Sequence, residues 1–365
     1  MESKFTYKSK EISLERYPKT SDKSLRAWSN AELLVLDYIK DAEVDTIHVF
    51  NDRFGVWNCT LKNKKLTTVW TYASQQTAIL QNLELNNLPT EINFKTPLDD
   101  LEKVVLALIK IPKSLELFEL FLSQIYKASV ENTEVVCGFM TKYFSPSYLK
   151  IAEQYFEVVE QSRAWKKARL LILKQPKKEI LSKSYINTIK WKKTELQQYF
   201  GVFSSGKVDI GTQFLLENLS IREDEKSLLD LASGNGIIAH HILENHPDKS
   251  LTLVDDFNLA IASSKLNITK PDTSFYCSNT LEGIPNKTFD LVVSNPPFHF
   301  EHENNIEVAL ELFKDVKRVL KDNGRFVLVA NKHLNYKTHL NELFKNVFIE
   351  ESNKKFEIIS CSYTV

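Results

Sequence analysis

Asn295, Pro296, Pro297 and Phe298 stand directly after the apolar run Phe289–Ser294, and their types suit the capture of a planar amino group. The Asn295 side-chain carbonyl and the Pro296 backbone carbonyl are two acceptors. Proline fixes φ and has no N–H, so those acceptors sit on a stiff backbone. Phe298 adds a ring face against which a base can stack. Together they suit chemistry at an exocyclic nitrogen. The same four residues can also be a strand closing in a turn, and their neighbours in the chain separate the two readings.

The first neighbour is Asp230-Leu231-Ala232-Ser233-Gly234-Asn235-Gly236, between the short run Ser227-Leu228-Leu229 and a helix-like stretch, 237–243. Strand, glycine turn and helix in that order bring backbone N–H groups and a helix N-terminus to a ligand. A second strand, 250–254, ends in Asp255-Asp256, where a carboxylate can accept both hydroxyls of a ribose. A third, 273–277, ends in Ser278-Asn279, and the fourth ends in the Asn-Pro-Pro-Phe. Ligands bind at strand C-termini in open α/β sheets, so four such ends in succession are far more specific than any one.

The first half reads as a worn copy of the second. Residues 46–50, followed by Asn51-Asp52-Arg53-Phe54-Gly55, parallel the strand and turn ending at Gly236. Residues 67–72 and the helix-like 75–86 parallel the second strand and its helix, and 104–109 followed by Lys110-Ile111-Pro112-Lys113 parallel the fourth strand and its clamp. A repeat of this length implies two similar α/β domains. The expected fold is therefore two tandem class I, Rossmann-like domains, residues 1–180 degenerate and 181–365 catalytic. The copy keeps one glycine, has no carboxylate after its second strand, and has lysine in place of both Asn295 and Phe298. It is not expected to bind the cofactor, and Lys110 and Lys113 either meet phosphate instead or are two exposed lysines beside a turn. The junction is expected within residues 174–184, and a strand-rich bridge over 185–203.

At 365 residues and 43% hydrophobic, the chain can furnish two cores. Its apolar runs are too short to span a bilayer, and no apolar stretch follows the N-terminal residues to signal export. Cys59, Cys137, Cys277 and Cys361 lie far apart with no Cys-x-x-Cys spacing, which suits a reducing cytoplasm and argues against a cysteine zinc site. His299 and His302, near Glu301 and Glu303, are not read as metal ligands, and His299 is read as shaping the base pocket, so no metal is expected. The 47 basic and 47 acidic residues balance, but between Arg163 and Lys193 eleven basic residues face one acid, Glu179. Arg163, Trp165, Lys166, Lys167 and Arg169 open that stretch, and basic residues interleaved with tryptophan fit phosphate contact plus base stacking.

These motifs place the second half among class I methyltransferases acting on exocyclic amines. The whole chain resembles the two-domain bacterial ribosomal RNA guanine-N2 methyltransferases. Residues 50–55, 109–114, 164–169 and 330–334 lean to the large-subunit branch, while 202–211 resembles a segment shared with the small-subunit branch. The resemblance implies S-adenosylmethionine as cofactor and a monomer acting on 23S ribosomal RNA, naked or partly assembled, in the cytoplasm. It places Asp230, Ala232, Gly234 and Gly236 near the methionine part, Asp255 (or else Asp256) at the ribose, Asn279 at the adenine amino group, and Asn295, Pro296 and Phe298 at the reacting amine. Other readings that share the clamp are N6-adenine or protein-glutamine methylation, and a decayed, non-catalytic RNA-binding protein. The family usually has glycine where this chain has Ala232. Alanine there is cheap only if the turn is right-handed or extended.

Overall fold

The computed structural model describes the chain except residues 1, 2, 21, 23, 297, 298, 301, 302, 305, 364 and 365 and the side chains of 299–308. Two compact units divide it, Met1–Ser184 and Tyr185–Val365. The expected junction segment is partly strand: Ala168–Pro176 is a sheet member, and Lys174 in it pairs with Glu134 at 3.2 Å.

Each unit is built on a seven-stranded sheet. In the first these are β1 (Thr46–Phe50), β2 (Lys65–Val69), β3 (Asn93–Lys95), β4 (Val104–Lys110), β5 (Ser129–Met140), β6 (Phe156–Gln161) and β7 (Ala168–Pro176). In the second they are β8 (Ser227–Leu231), β9 (Ser250–Asp255), β10 (Ser274–Cys277), β11 (Phe289–Ser294), β12 (Leu320–Asn331), β13 (Asn346–Ser352) and β14 (Phe356–Ser362). Strand order is β3-β2-β1-β4-β5-β7-β6 in the first sheet and β10-β9-β8-β11-β12-β14-β13 in the second, the same permutation. Five strands of each sheet pair in parallel; β7 and β14 run opposite to them, and the edge strands β6 and β13 pair antiparallel to these.

The parallel strands are buried on both faces, and so read as continuous apolar runs rather than alternating ones. Leu291, Val292 and Val293 of β11 are fully buried, as are Ala107, Leu108 and Ile109 of β4. In the second unit one face of the sheet packs Phe313 against Phe326 and Tyr336, each pair of ring centroids 5.3 Å apart. The other face packs Ile238, Ala239 and Ile242 of the helix Ile237–Asn245 with Leu215 and Leu216 of the helix Ile210–Asn218. Burying one such ring or leucine contributes about 1.5–3 kcal/mol. Ser294 Oγ donates to Leu231 O at 2.7 Å, which locks the end of β11 to the end of β8 where the site lies. An antiparallel hairpin, Ile186–Trp191 and Thr194–Tyr199, occupies the expected strand-rich bridge.

Candidate active site

β8 runs into a turn with three left-handed residues: Ala232, Gly234 and Gly236 have φ of 59°, 56° and 80°. A Cβ on Gly236 would lie 3.0 Å from Ser264 Oγ, whereas one on Gly234 would meet nothing within 4 Å. Gly236 thus serves helix packing, and Gly234 leaves open space in the cleft. For Ala232 the costly case applies, since an L-residue in this region loses about 1 kcal/mol. Ala232 N and Ser233 N both donate to Val254 O, at 2.8 and 3.2 Å, and hold the turn to β9.

Asp255 ends β9. Its Oδ2 accepts from Gly234 N and its Oδ1 from Phe257 N, each at 2.8 Å. Burial pushes its carboxyl up to about 6 against the pull of those two donors. Asp230 stands one residue before the end of β8. It is wholly buried beneath the turn, is not in the cleft wall, and its Oδ2 accepts from Ala239 N at 3.0 Å. Its role is to anchor the helix after the turn, and burial pushes its carboxyl up to about 7. Asn279 follows β10, whose Cys277 pairs with Asp255, and Ser278 N donates to Asp255 O at 2.9 Å. Asn279 is half-buried beside the end of the ribose-type strand.

At the end of β11, Asn295 Nδ2 donates to Thr212 Oγ1 at 2.8 Å and to Asp209 Oδ2 at 3.3 Å. Asp209 is the N-cap of the helix Ile210–Asn218, where the same oxygen accepts from Gly211 N and Thr212 N. The amide nitrogen therefore faces the helix, and the carbonyl edge is what remains for an incoming amine. Pro296 is buried; Pro297 and Phe298 lie outside the described residues. Phe203, Lys207, Asp209 and Thr212 line one side of the cleft, Ala232 and Gly234 the other, with Asn295 between. The segment 202–211 drew notice only by resemblance. Its one independent signal was aspartate opening an apolar run, the pattern of a helix N-cap.

The first unit repeats this frame with different groups. Asn51 and Gly55 have φ of 57° and 78°, at the positions of Ala232 and Gly236. Lys110 takes the place of Asn295, and Glu32, on the helix Asn30–Tyr38, the place of Thr212. Lys110 Nζ sits 3.1 Å from Glu32 Oε1, and Glu32 is 0% exposed. Lys110, expected to meet phosphate, thus has a buried carboxylate as partner in this structure. Lys113 is exposed. Arg163, Trp165, Lys166 and Lys167 are exposed around a hairpin tip, and Arg169 is half-buried on β7, with Nη1 3.5 Å from Gln161 Oε1. The basic stretch is also split between the units. Four of its eleven charges pair with acids outside the counted run or across a hairpin: Lys174 with Glu134, Lys183 with Glu119 and Lys192 with Glu217, all distant in sequence, and Lys190 with Glu195 on the facing strand.

A parallel sheet closed by an antiparallel pair, a glycine turn at its first strand, an acid at its second and Asn-Pro at its fourth define a class I S-adenosylmethionine-dependent methyltransferase. Residues 2–178 match the RLMG N-terminal domain and residues 193–360 the methyltransferase small domain. The chain belongs to the ribosomal RNA large subunit methyltransferase G family. It is 32% identical over 367 residues to the relative of that name from Psychromonas ingrahamii, covering 95% of each chain. With the relative from Yersinia enterocolitica it shares 33% over 369 residues, 96% of this chain and 92% of that one. Its fold is similar to that of the T. thermophilus 16S rRNA N2 G1207 methyltransferase (RsmC) in complex with AdoMet and guanosine. That likeness has a TM-score of 0.78 at 18% identity and covers 99% of this chain and 97% of the other.

Proposed function

We propose that the chain transfers the methyl group of S-adenosylmethionine to the exocyclic N2 of a guanine in 23S ribosomal RNA, as a cytoplasmic monomer acting on naked or partly assembled large subunit. The observation that carries this is the anchored Asn295 amide, which presents an acceptor edge beside the glycine turn and its carboxylate. The turn fits the cofactor: Gly234 leaves open space at the cleft, and Asp255 is fixed by two backbone donors with lone pairs left for ribose hydroxyls. Asn279 suits the adenine amino group. When bound, the cofactor supplies an already activated methyl group, so alignment is the protein's main task.

Guanine N2 is a weak nucleophile because its lone pair is delocalised into the ring. Asn295 and the Pro296 carbonyl accept its two hydrogens, which favours a pyramidal nitrogen and stabilises the positive charge that develops on it. Phe298 stacks on the base, whose withdrawal from its surroundings costs a few kcal/mol. The methylated nitrogen then loses its extra proton to water. Methylated guanines should be mapped in 23S RNA from cells with and without the protein, and deproteinised 23S RNA should be compared with intact large subunits in vitro. One guanine should lose its N2-methyl mark without the protein, and free RNA should be the better substrate. An unchanged 23S map, or a mark lost from protein or from adenine N6, would overturn the assignment. Preference for intact particles would overturn the assembly stage.

A further inference from the structure

The hairpin joining β6 to β7 turns in two residues. Trp165 N donates to Ala168 O and Ala168 N to Trp165 O, both at 2.8 Å. The two central residues, Lys166 and Lys167, have φ of 44° and 64°. Such a turn favours Asn-Gly, and each lysine in the left-handed region loses about 1 kcal/mol. The strain is held by a frame: Asn30 Nδ2 donates to Lys166 O at 3.0 Å, and Thr141 N donates to Lys167 O at 2.9 Å. That second bond joins the tip to the turn after β5, which rests on Phe144, stacked on Phe139 at 4.0 Å.

Each turn displays an aromatic ring with its own lysine. Trp165 is 40% exposed with Lys166 Nζ 4.8 Å from its ring centroid; Tyr143 is 43% exposed with Lys142 Nζ at 5.2 Å. No carboxylate among the described residues pairs with Lys142, Arg163, Lys166 or Lys167, unlike the four compensated lysines of the basic stretch. Uncompensated charge, two ring faces and a strained, fixed backbone occur together, where exposed lysines alone would need none of this strain.

We propose that Trp165 and Tyr143, with Lys142, Arg163, Lys166 and Lys167, form a binding site for unpaired RNA, each ring stacking on one base. Duplex RNA does not fit, because its base faces are already covered by their neighbours, whereas an unpaired nucleotide offers a face to the ring and a phosphate to the lysine beside it. A base taking the ring releases the ammonium to that phosphate. The site rests on the proposal that the substrate is RNA, and it names the form in which the first unit holds it.

The test measures binding of the full chain to a short labelled oligouridylate and to a blunt RNA duplex. The oligouridylate should bind more tightly. Trp165→Ala and Tyr143→Ala should each weaken it by about tenfold, Trp165→Phe should recover most of the loss, and Lys166→Gln with Lys167→Gln should flatten the salt dependence. Circular dichroism and the first unit's unfolding transition, unchanged in each variant, check that the chain is folded. Equal binding of the duplex, or alanine variants that bind like wild type, would overturn the site. Methylation of 23S RNA by the same wild-type preparation reports separately. Activity with ring-independent binding sinks this site alone, and ring-dependent binding without methylation sinks the methylation proposal alone.

Discussion

Because a carboxylate has no proton to donate, Asp209 decides which edge of the Asn295 amide faces the helix and which is left for substrate. Thr212 shares that anchoring at 2.8 Å. Asn295→Ala should slow methyl transfer ~100-fold or more. Thr212→Val should slow it about tenfold through the loosened amide, mainly in kcat. Because the two act through one group, the double variant should be no slower than Asn295→Ala alone, and multiplied losses in single-turnover assays would separate them. Asp255 gives a second prediction. Its carboxyl, raised to about 6 by burial, must be ionised to accept hydroxyls. Cofactor affinity should therefore be flat above that pH and fall below it, by up to about tenfold per unit. Asp255→Asn should bind weakly at every pH, and titrations that show no acid limb would remove Asp255 from the site. Ala232→Gly relieves about 1 kcal/mol of strain but adds unfolded-state entropy worth about 0.4–1 kcal/mol. The net effect on a denaturation midpoint should range from neutral to a small rise, and a clear loss of stability would show that the methyl group packs usefully.

Elements were read from the sequence to the degree that their own residues define them. β1 and β11 match their expected ranges because strands buried on both faces are uninterrupted apolar runs. β2 begins at Lys65, two residues before the expected 67, since pairing of Thr46 with Lys65 sets its start and local propensity does not. The grip of Asp209 and Thr212 on Asn295 joins positions more than eighty residues apart and has no local signature. The partial compensation of the charge excess has no local signature either: Glu134 and Glu119 reach the basic stretch only through the fold. One element contact depends on a missing side chain. A Cβ on Gly138 of β5 would lie 2.8 Å from Ala31 O, on the helix Asn30–Tyr38. Gly138→Ala should push that helix off its sheet and lower stability by about 1–3 kcal/mol in chemical denaturation. Cofactor affinity should be unchanged, and a fully stable variant would mean that the helix can shift freely.

Across the whole molecule, chemistry is confined to the second unit, and the first carries a buried ion pair where the second has its anchored amide. Lys110→Met strands Glu32 in the core and should destabilise the first unit by about 3–5 kcal/mol. Calorimetry should still find one S-adenosylmethionine per chain, and two sites in either protein would contradict the inactive copy. The outer left-handed residues of the two turns agree within a few degrees, Asn51 and Gly55 at 57° and 78° against Ala232 and Gly236 at 59° and 80°, while Gly234 between them is left-handed in the second turn alone. A copy without the ligand's groups keeps the ligand's loop shape. That shape therefore belongs to the joint between a buried parallel strand and the helix that follows it, and a nucleotide is only one possible tenant. The positions that differ are the three between the bends, Asp52, Arg53 and Phe54 in one unit and Ser233, Gly234 and Asn235 in the other. New binding specificity on this scaffold can thus be sought within three residues, with the bends on either side left untouched.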